Sequence, residues 1–298
     1  MSILTLDIGA TAVKYGLFDP NGILFKQGDF PTQAQNGAHS LFVRLTAWIQ
    51  NLPETISAIG VSTCGQVDPS TGNIMYATDN LPGYTGMQVR SYLEETFSVP
   101  VAVENDANAA AIGEAYFGSA RGMPDFLCIT YGTGIGGAII SDNSIYRGKN
   151  GSAGEFGHII THAGGLPCTC GGKGCYETYA SVNALCRRVR AVTGQTLSSH
   201  EIMMRIQEDS IANALKDWVY EVAIGLSSLI HALNPYCIIL GGGIMENPRL
   251  LHLLRKETLE LVMPNFRGTL IFGAALGNQA ALYGMFHFLR DSVTKGDP

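Results

Sequence analysis

An internal repeat constrains the fold more than any other feature of the sequence. The segment LCITYGTGIGGAIISDNSIY at 127–146 aligns without a gap with LTLDIGATAVKYGLFDPNGI at 4–23, and Gly132 then matches Gly9. Each copy predicts a strand, a glycine-rich turn, a second strand, a tight turn and a third strand. Because the repeat distance is close to half of the chain, it predicts two similar lobes and not a solenoid.

Strands and helices alternate in the rest of the chain, which favours an α/β fold. Apolar runs predict further strands, and helical spacing of apolar residues predicts helices. The further strands are expected at 22–30, 56–65, 99–106, 235–244 and 268–275. The helices are expected at 37–51, 107–118, 178–193, 210–233, 247–262 and 275–290. We expect an N-terminal lobe at 1–117, completed by a C-terminal helix at 275–298, and a C-terminal lobe at 118–274.

Composition and charge argue against several functional classes. The net charge is −6 and no run of five basic residues occurs, which disfavours nucleic acid as a partner. No uninterrupted apolar run reaches the ~18 residues of a spanning helix, so we expect no membrane segment. The N-terminus lacks the pattern of a signal peptide, and we therefore expect an unprocessed cytoplasmic protein.

The two glycine turns suggest anion binding. The second turn contains Gly132, Gly134 and Gly137, formally a dinucleotide fingerprint, but that fingerprint must open a helix and here a strand follows. What remains is either a plain hairpin turn or a turn whose backbone N–H groups contact a phosphate. If the two lobes face each other, the site is expected in the cleft between them.

Other residues near glycine turns extend this phosphate hypothesis. In the first copy, Asp7 is suited to a hydrated Mg²⁺, and Thr11 and Lys14 to phosphate oxygens. Asp7 is alternatively a turn residue. A later glycine triplet follows a predicted buried strand and would leave room for a base or a ribose. Its members are Gly241, Gly242 and Gly243.

A polar triplet of Glu104, Asn105 and Asp106 ends the strand predicted at 99–106. Asn105 and Asp106 cap helices well, so one interpretation of this triplet is a helix cap. The other is a substrate site, in which Asn105 bonds a hydroxyl and Asp106 accepts its proton during attack on phosphorus. The two interpretations are compatible.

A histidine and three cysteines crowd into the glycine-rich segment 154–180. His158 is followed by Cys168, Cys170 and Cys175, a set that suits structural zinc. The alternatives are a loop without metal or, against the expectation for a reducing compartment, a disulfide. With four protein ligands the metal would have no open position, so we expect it to hold structure and not to activate water.

Two carboxylates bracket the same segment. Glu155 lies just before His158, and Glu177 lies just after Cys175. A zinc-folded loop would bring both carboxylates near the free N–H of the histidine, a polar lining suited to a sugar. The alternative is a pair of solvated surface charges.

Together the motifs LDIGATAVKYGLFD, VENDANAAAIGEA, YGTGIGGAII, GSAGEFGH, CTCGGKGCYETYAS and IILGGGI resemble the ROK family of repressors and sugar kinases. The resemblance implies a duplicated, two-lobe actin-like ATPase fold (ribonuclease H-like) with a zinc loop, in a homodimer. It implies ATP- and Mg²⁺-dependent phosphorylation of an aldohexose or an N-acetylhexosamine.

The resemblance also implies roles for individual residues. Asp106 is then the catalytic base, and zinc is held by His158, Cys168, Cys170 and Cys175. The sugar is bound by Asp106 together with Gly65, Asn80, Asn105, Glu155, His158 and Glu177. The phosphates are surrounded by Asp7, Gly9, Thr11, Gly132, Thr133 and Gly134.

The sequence departs from the family pattern at Ala10, Cys64 and Tyr131, none of which removes a group that the mechanism needs. The alternatives to a kinase are a transcription regulator or a non-catalytic sugar-binding protein. The first motif begins at Asp7 and leaves no room for an N-terminal DNA-binding domain, so we expect a kinase. The segment NLPGYTG at 80–86 resembles the matching loop of bacterial glucokinases and favours a glucose-like substrate.

Overall fold

The computed structural model of the protein describes residues 1–295, so the end of the helix expected at 275–298 lies outside the described residues. The strands are β1 (Ser2–Ile8), β2 (Ala12–Phe18), β3 (Leu24–Pro31), β4 (Ile56–Thr63), β5 (Gln66–Val67), β6 (Ile74–Tyr76), β7 (Val101–Asn105), β8 (Phe126–Tyr131), β9 (Ile135–Ser141), β10 (Ser144–Ile145), β11 (Cys237–Gly241) and β12 (Leu270–Gly273). The helices are α1 (Gly37–Gln50), α2 (Val89–Phe97), α3 (Asp106–Phe117), α4 (Glu177–Ala180), α5 (Val182–Thr193), α6 (Ser199–Met204), α7 (Asp209–Leu233), α8 (Pro248–Leu261) and α9 (Ala280–Lys295).

The chain divides into two compact units. Unit 1 comprises 1–121, 147–153 and 278–298, and unit 2 comprises 122–146 and 154–277. Unit 1 therefore contains β1 to β7, α1 to α3 and α9, and unit 2 contains the remaining elements. No helix among the described residues is long and apolar enough to cross a membrane.

The same strand arrangement occurs in both units, which confirms the duplication that the repeat predicts. Unit 1 has the strand order β3-β2-β1-β4-β7, and unit 2 has the order β10-β9-β8-β11-β12. In each sheet the hairpin strands pair antiparallel and the later strands join in parallel. The bounds of β9 are the positions that the sequence alignment matches to β2. The α/β fold class is therefore confirmed.

Each unit buries its own core. In unit 1, residues of α1 and α2 pack on one face of the sheet, with Phe42 and Leu93 fully buried. The opposite face carries a small-residue core, in which Ala58 and Ala102 contact Met285 of α9. In unit 2, α5, α7 and α8 contribute to the core, and Trp218 is its largest fully buried residue.

Helices α3 and α9 cross at two glycines. A Cβ on Gly113 would collide with the backbone oxygen of Ala280, and a Cβ on Gly284 with that of Ala109. The two backbones therefore touch along this contact, a closeness that a larger side chain would prevent. This crossing matters for the site because α3 begins at Asp106.

The structure differs from the sequence-based expectation in one interrupted helix and in three additional elements. The single helix predicted at 178–193 is interrupted at Ser181, whose extended backbone ends α4 and whose Oγ accepts a hydrogen bond from Ala184 N at the start of α5. The Ser181 carbonyl also accepts from the indole Nε1 of Trp218 at 2.9 Å, which stabilises the break. In addition, α2, α6 and the β5–β6 hairpin were not predicted, because these elements are short.

We predict that Gly284→Ala destabilises the protein by about 1–3 kcal/mol, because the added methyl group would force the two helices apart. On helix propensity alone the same change would stabilise by up to ~1 kcal/mol, so the sign of the effect is diagnostic. Urea unfolding would measure it. Gly268→Ala is the control, because nothing lies within 4 Å of a Cβ at that position; equal effects at both positions would contradict a tight crossing.

Candidate active site and metal centre

Asp7 lies near the end of β1, between one residue of each neighbouring strand. Lys14 of β2 and Ser62 of β4 are its register partners. Ser62 Oγ donates to Asp7 Oδ1 at 3.0 Å, and Lys14 Nζ lies 3.8 Å from Asp7 Oδ2. Burial raises the pKa of Asp7, although the charge of Lys14 and the bond from Ser62 act in the opposite direction. The ionised carboxylate is therefore a destabilising group that a bound cation would relieve.

The first glycine turn is held by a residue that the sequence analysis missed. Thr32 is fully buried, its Oγ1 donates to Gly9 O at 2.6 Å, and its N–H donates to Thr11 O at 3.0 Å. A guanidinium N–H of Arg44 in turn donates to the carbonyl of Thr32. This turn is thus fixed from the side of β3, an arrangement that depends on strand pairing and leaves no local sequence signal.

Asn105 ends β7 and caps α3, which confirms the helix-cap interpretation. Its Oδ1 accepts from Ala107 N at 2.9 Å and from Asn108 N at 3.2 Å. Its Nδ2 donates to Gly65 O and to Asp106 Oδ1, both at 3.0 Å. Because the amide has two donor hydrogens, Asn105 would have to exchange one of these contacts in order to donate to a sugar hydroxyl.

Asp106 is the first residue of α3, and its side chain is exposed. Its Oδ1 accepts from Ala107 N at 2.9 Å as well as from Asn105. The positive end of the helix dipole favours the ionised carboxylate at this position. The neighbouring Cys64 is a thiol at neutral pH, because burial and, secondly, the charge of Asp106 raise its pKa to about 11.

Other predicted residues of unit 1 have the following places. Gly65 has φ +94°, and a Cβ there would lie 2.6 Å from Tyr76 O, so the position requires glycine. Asn80 is exposed in the connection between β6 and α2. Lys14 Nζ donates to Asn278 Oδ1 at 3.1 Å, so its ammonium is held just before α9.

The second glycine turn lies in unit 2 between β8 and β9. Gly132 N donates to Gly134 O at 3.0 Å, which closes the turn. Glu177 Oε2 accepts from Ile135 N at 3.3 Å, so the turn that contains Thr133 is tied to the end of the cysteine-rich segment.

The glycine triplet 241–243 follows β11 in the same unit. A Cβ on Gly242, which has φ +101°, would collide with Tyr131 O just before the second turn. Gly241 is buried, whereas space is open around Gly243. The structure therefore brings the triplet beside the turn.

The four predicted zinc ligands lie close together in the structure. One donor atom from each of His158, Cys168, Cys170 and Cys175 lies within 4.8 Å of the other three. Cys168 Sγ is 3.7 Å from His158 Nδ1, and Cys170 Sγ is 3.6 Å from Cys175 Sγ. Tetrahedral zinc with bonds of about 2.3 Å to sulfur separates its ligand atoms by about 3.8 Å. The residues therefore fit a Cys₃His zinc site.

The three thiols differ in acidity. Burial raises the pKa of Cys168 to about 12 and also raises that of Cys175. A backbone hydrogen bond from Gly172 lowers the pKa of Cys170, which is exposed. Because zinc binds thiolates, metal binding at neutral pH would release protons from this set.

The two bracketing carboxylates both lie beside His158. Glu155 Oε2 is 3.9 Å from His158 Nε2, and Glu177 Oε1 is 3.8 Å from His158 Nδ1. Glu177 is mostly buried and also accepts from Cys168 Sγ at 3.2 Å, whereas Glu155 is half-exposed. The cluster therefore has carboxylates on both sides of one imidazole.

Comparison with known proteins gives a consistent result. A model of the ROK family matches residues 3–292. The chain is 32% identical to the beta-glucoside kinase of Listeria innocua, over 98% of each chain. It is 31% identical to the glucokinase of Halalkalibacterium halodurans, over 94% of this chain and 92% of the relative.

A solved structure is similar throughout. The ROK family glucokinase of Streptomyces griseus, determined in complex with glucose and AMPPNP, superposes with a TM-score of 0.85 at 30% identity. The match covers 98% of this chain and 100% of that structure. The family model, the relatives and this structure agree over nearly the full length, and the chain therefore belongs to the ROK family.

Proposed function

We propose that the protein is an ATP-dependent kinase that phosphorylates a hydroxyl of an aldohexose or an N-acetylhexosamine. The observation that carries this proposal is the exposed carboxylate of Asp106, held at the N-terminus of α3 by Asn105 and by a backbone N–H. Similarity to kinases of glucose and of beta-glucosides supports the same reaction class.

In this reaction Asp106 accepts the proton of the sugar hydroxyl as its oxygen attacks the γ-phosphorus of ATP. The bond between that phosphorus and the β–γ bridging oxygen breaks, and ADP leaves. Phosphoryl transfer is catalysed mainly by positioning and by charge neutralisation, and a carboxylate aligns the nucleophile. The fixed orientation of Asp106 suits this task.

Phosphate binding is assigned to the two glycine turns. Gly9 N donates to Ala12 O at 3.1 Å and shapes the first turn. The backbone N–H groups of Thr11 in this unit, and of Thr133 and Gly134 in the other, would donate to phosphate oxygens. Lys14 adds a positive charge, and Gly241–Gly243 would border the base or the ribose. Asp7 would hold Mg²⁺, which when bound supplies charge neutralisation to the phosphates.

Sugar binding is assigned to polar groups that follow the carboxyl ends of β4 and β7 in unit 1 and to the cysteine-rich segment of unit 2. We propose that Gly65, Asn80 and Asn105 of unit 1 contact the sugar, as well as Glu155, His158 and Glu177 of unit 2. In this arrangement zinc is structural: with Cys₃His ligation complete, it fixes the imidazole between the two glutamates. Its thiolates need a reducing compartment, so we place the protein in the cytoplasm. The homodimer that the resemblance implies stays a prediction.

The test of the function is ADP release with a panel of sugars: glucose, mannose, allose, N-acetylglucosamine, N-acetylmannosamine and a beta-glucoside. We expect turnover with at least one and favour glucose, because of the 80–86 loop. Asp106→Asn should reduce kcat by about 10²–10⁴-fold while sugar binding persists. Tight sugar binding without turnover by the wild type would instead favour a non-catalytic sugar-binding protein.

We predict that Asp7→Asn abolishes turnover but raises the melting temperature at pH 7 by a few degrees. The raised pKa of Asp7 means that its ionised form costs stability above that pKa, a cost that disappears below about pH 4, where the carboxyl is protonated in both states. The increase in melting temperature should therefore disappear at pH values below about 4. Asp19→Asn is the control of opposite sign, because backbone hydrogen bonds lower the pKa of Asp19 and its charge stabilises the fold. Thermal unfolding at pH 7 and pH 3.5 would decide; a loss of stability for Asp7→Asn at pH 7 would contradict the assigned burial cost.

We predict that Cys170→Ser reduces the zinc content and lowers the melting temperature. Cys170 is exposed, so the metal-free protein should tolerate serine and the loss should reflect the metal alone. Elemental analysis and thermal unfolding before and after chelation measure both effects. Cys186→Ser on α5, outside the ligand set, should keep its zinc. A wild-type protein purified without zinc and unable to bind it would reject this site.

A further inference from the structure

A buried carboxylate precedes the proposed catalytic base and has no role in the reaction described above. Glu104 of β7 is 2% exposed. A buried ionised carboxylate is costly unless it is paired and hydrogen-bonded. Glu104 lies two residues before Asp106, so the partners that stabilise its charge also lie close to the proposed base.

Each oxygen of Glu104 has a different kind of partner. Oε1 accepts from Asn105 N and from Asn108 Nδ2, both at 2.9 Å. Oε2 lies 2.6 Å from Arg147 Nη2 but accepts no hydrogen bond from the described residues. Charge attraction to Arg147 is therefore the main stabilisation of this oxygen.

The contacts continue from Glu104 to Asp106. Glu104 fixes the backbone of Asn105 and the side chain of Asn108, on both sides of the catalytic residue. Asn105 Nδ2 then donates to Asp106 Oδ1. A shift of Glu104 would move the group that orients the base.

Arg147 is itself fixed. It opens the segment 147–153, which belongs to unit 1 although the chain on either side belongs to unit 2. Its carbonyl accepts from Ala153 N at 3.1 Å, and its guanidinium lies 6.0 Å from the ring centre of Phe288 on α9. The planar guanidinium can pair and stack at once, which an ammonium does less well.

We propose that Glu104 and Arg147 are positioning residues for Asp106: their ion pair holds the junction of β7 and α3 so that the carboxylate meets the substrate hydroxyl in the reactive orientation. This inference rests on the proposed function. In this role both residues act through Asp106 and not on the substrate, so their replacement should lower kcat and leave KM for sugar and for ATP nearly unchanged. If the ion pair were purely structural, its loss would lower the stability of the protein without a selective fall in kcat.

The experiment compares Arg147→Met, Arg147→Lys and Glu104→Gln with the wild type, on whichever panel sugar gives turnover. Arg147→Met should lower kcat by about 10²-fold, the cost of a misplaced catalytic group, with both KM values within about twofold of the wild type. Arg147→Lys should recover part of kcat because the charge returns. Glu104→Gln should give a smaller loss of kcat, since its Oε1 still accepts from Asn105 and Asn108.

Arg188→Met is the matched control. Arg188 Nη2 pairs with Glu221 Oε1 at 2.7 Å, joining α5 to α7, and both side chains are mostly buried. This variant should lose thermal stability and keep the wild-type kcat. An equal loss of kcat in Arg188→Met, or KM values that rise with the fall in kcat of Arg147→Met, would overturn the positioning role.

The two proposals fail in different ways. A wild type that turns over none of the sugars rejects the proposed function itself. A wild type that turns over sugar, together with Arg147→Met and Glu104→Gln variants of unchanged kcat, rejects only the positioning role. If Arg147→Met does not fold, the near-isosteric Glu104→Gln decides the question alone, and an unchanged kcat in it rejects the positioning role.

Discussion

The candidate site of unit 1 depends on one row of charged and polar side chains that crosses the first sheet. Strand register places Lys14, Asp7, Ser62 and Glu104 side by side on four neighbouring strands. Charges at the edge of a buried sheet must be paired, and each carboxylate here has a cation and a hydrogen-bond donor. Because β1, β4 and β7 run parallel, their carboxyl ends lie at the same edge, where ligands bind in open sheets.

The two sheets have the same strand arrangement but carry different side chains at matching positions. The position that matches Asp7 in the second copy is Thr130, and the position that matches Lys14 is Gly137. Unit 2 thus keeps the backbone turn without the charged row. It has instead the cysteine and histidine cluster, joined to its turn by the bond from Ile135 N to Glu177. One architecture therefore supports a half that carries the charged row and a half that carries the cysteine and histidine cluster.

Most of the fold and much of the candidate site could be predicted from sequence because their signals are local. The repeat predicted both hairpins, and the four residues of the candidate zinc site crowd into one short segment. The break at Ser181 was missed because it depends on Trp218, which is distant in sequence. The contacts of Thr32 and Glu104 were missed for the same reason. Thr32 bonds the turn after β1 and Glu104 pairs with Arg147, so both contacts join residues that are distant in sequence.

The chain passes from one unit to the other several times, so the two units cannot be separated by a single cut. Unit 1 is assembled from three stretches, and its last stretch supplies α9. A fragment that ended at Arg121 would lack the helix that covers Gly113, as well as the guanidinium that compensates Glu104. Neither unit is thus one continuous segment of the chain, and an exchange of one unit for that of a relative would have to join the chain at four points at once.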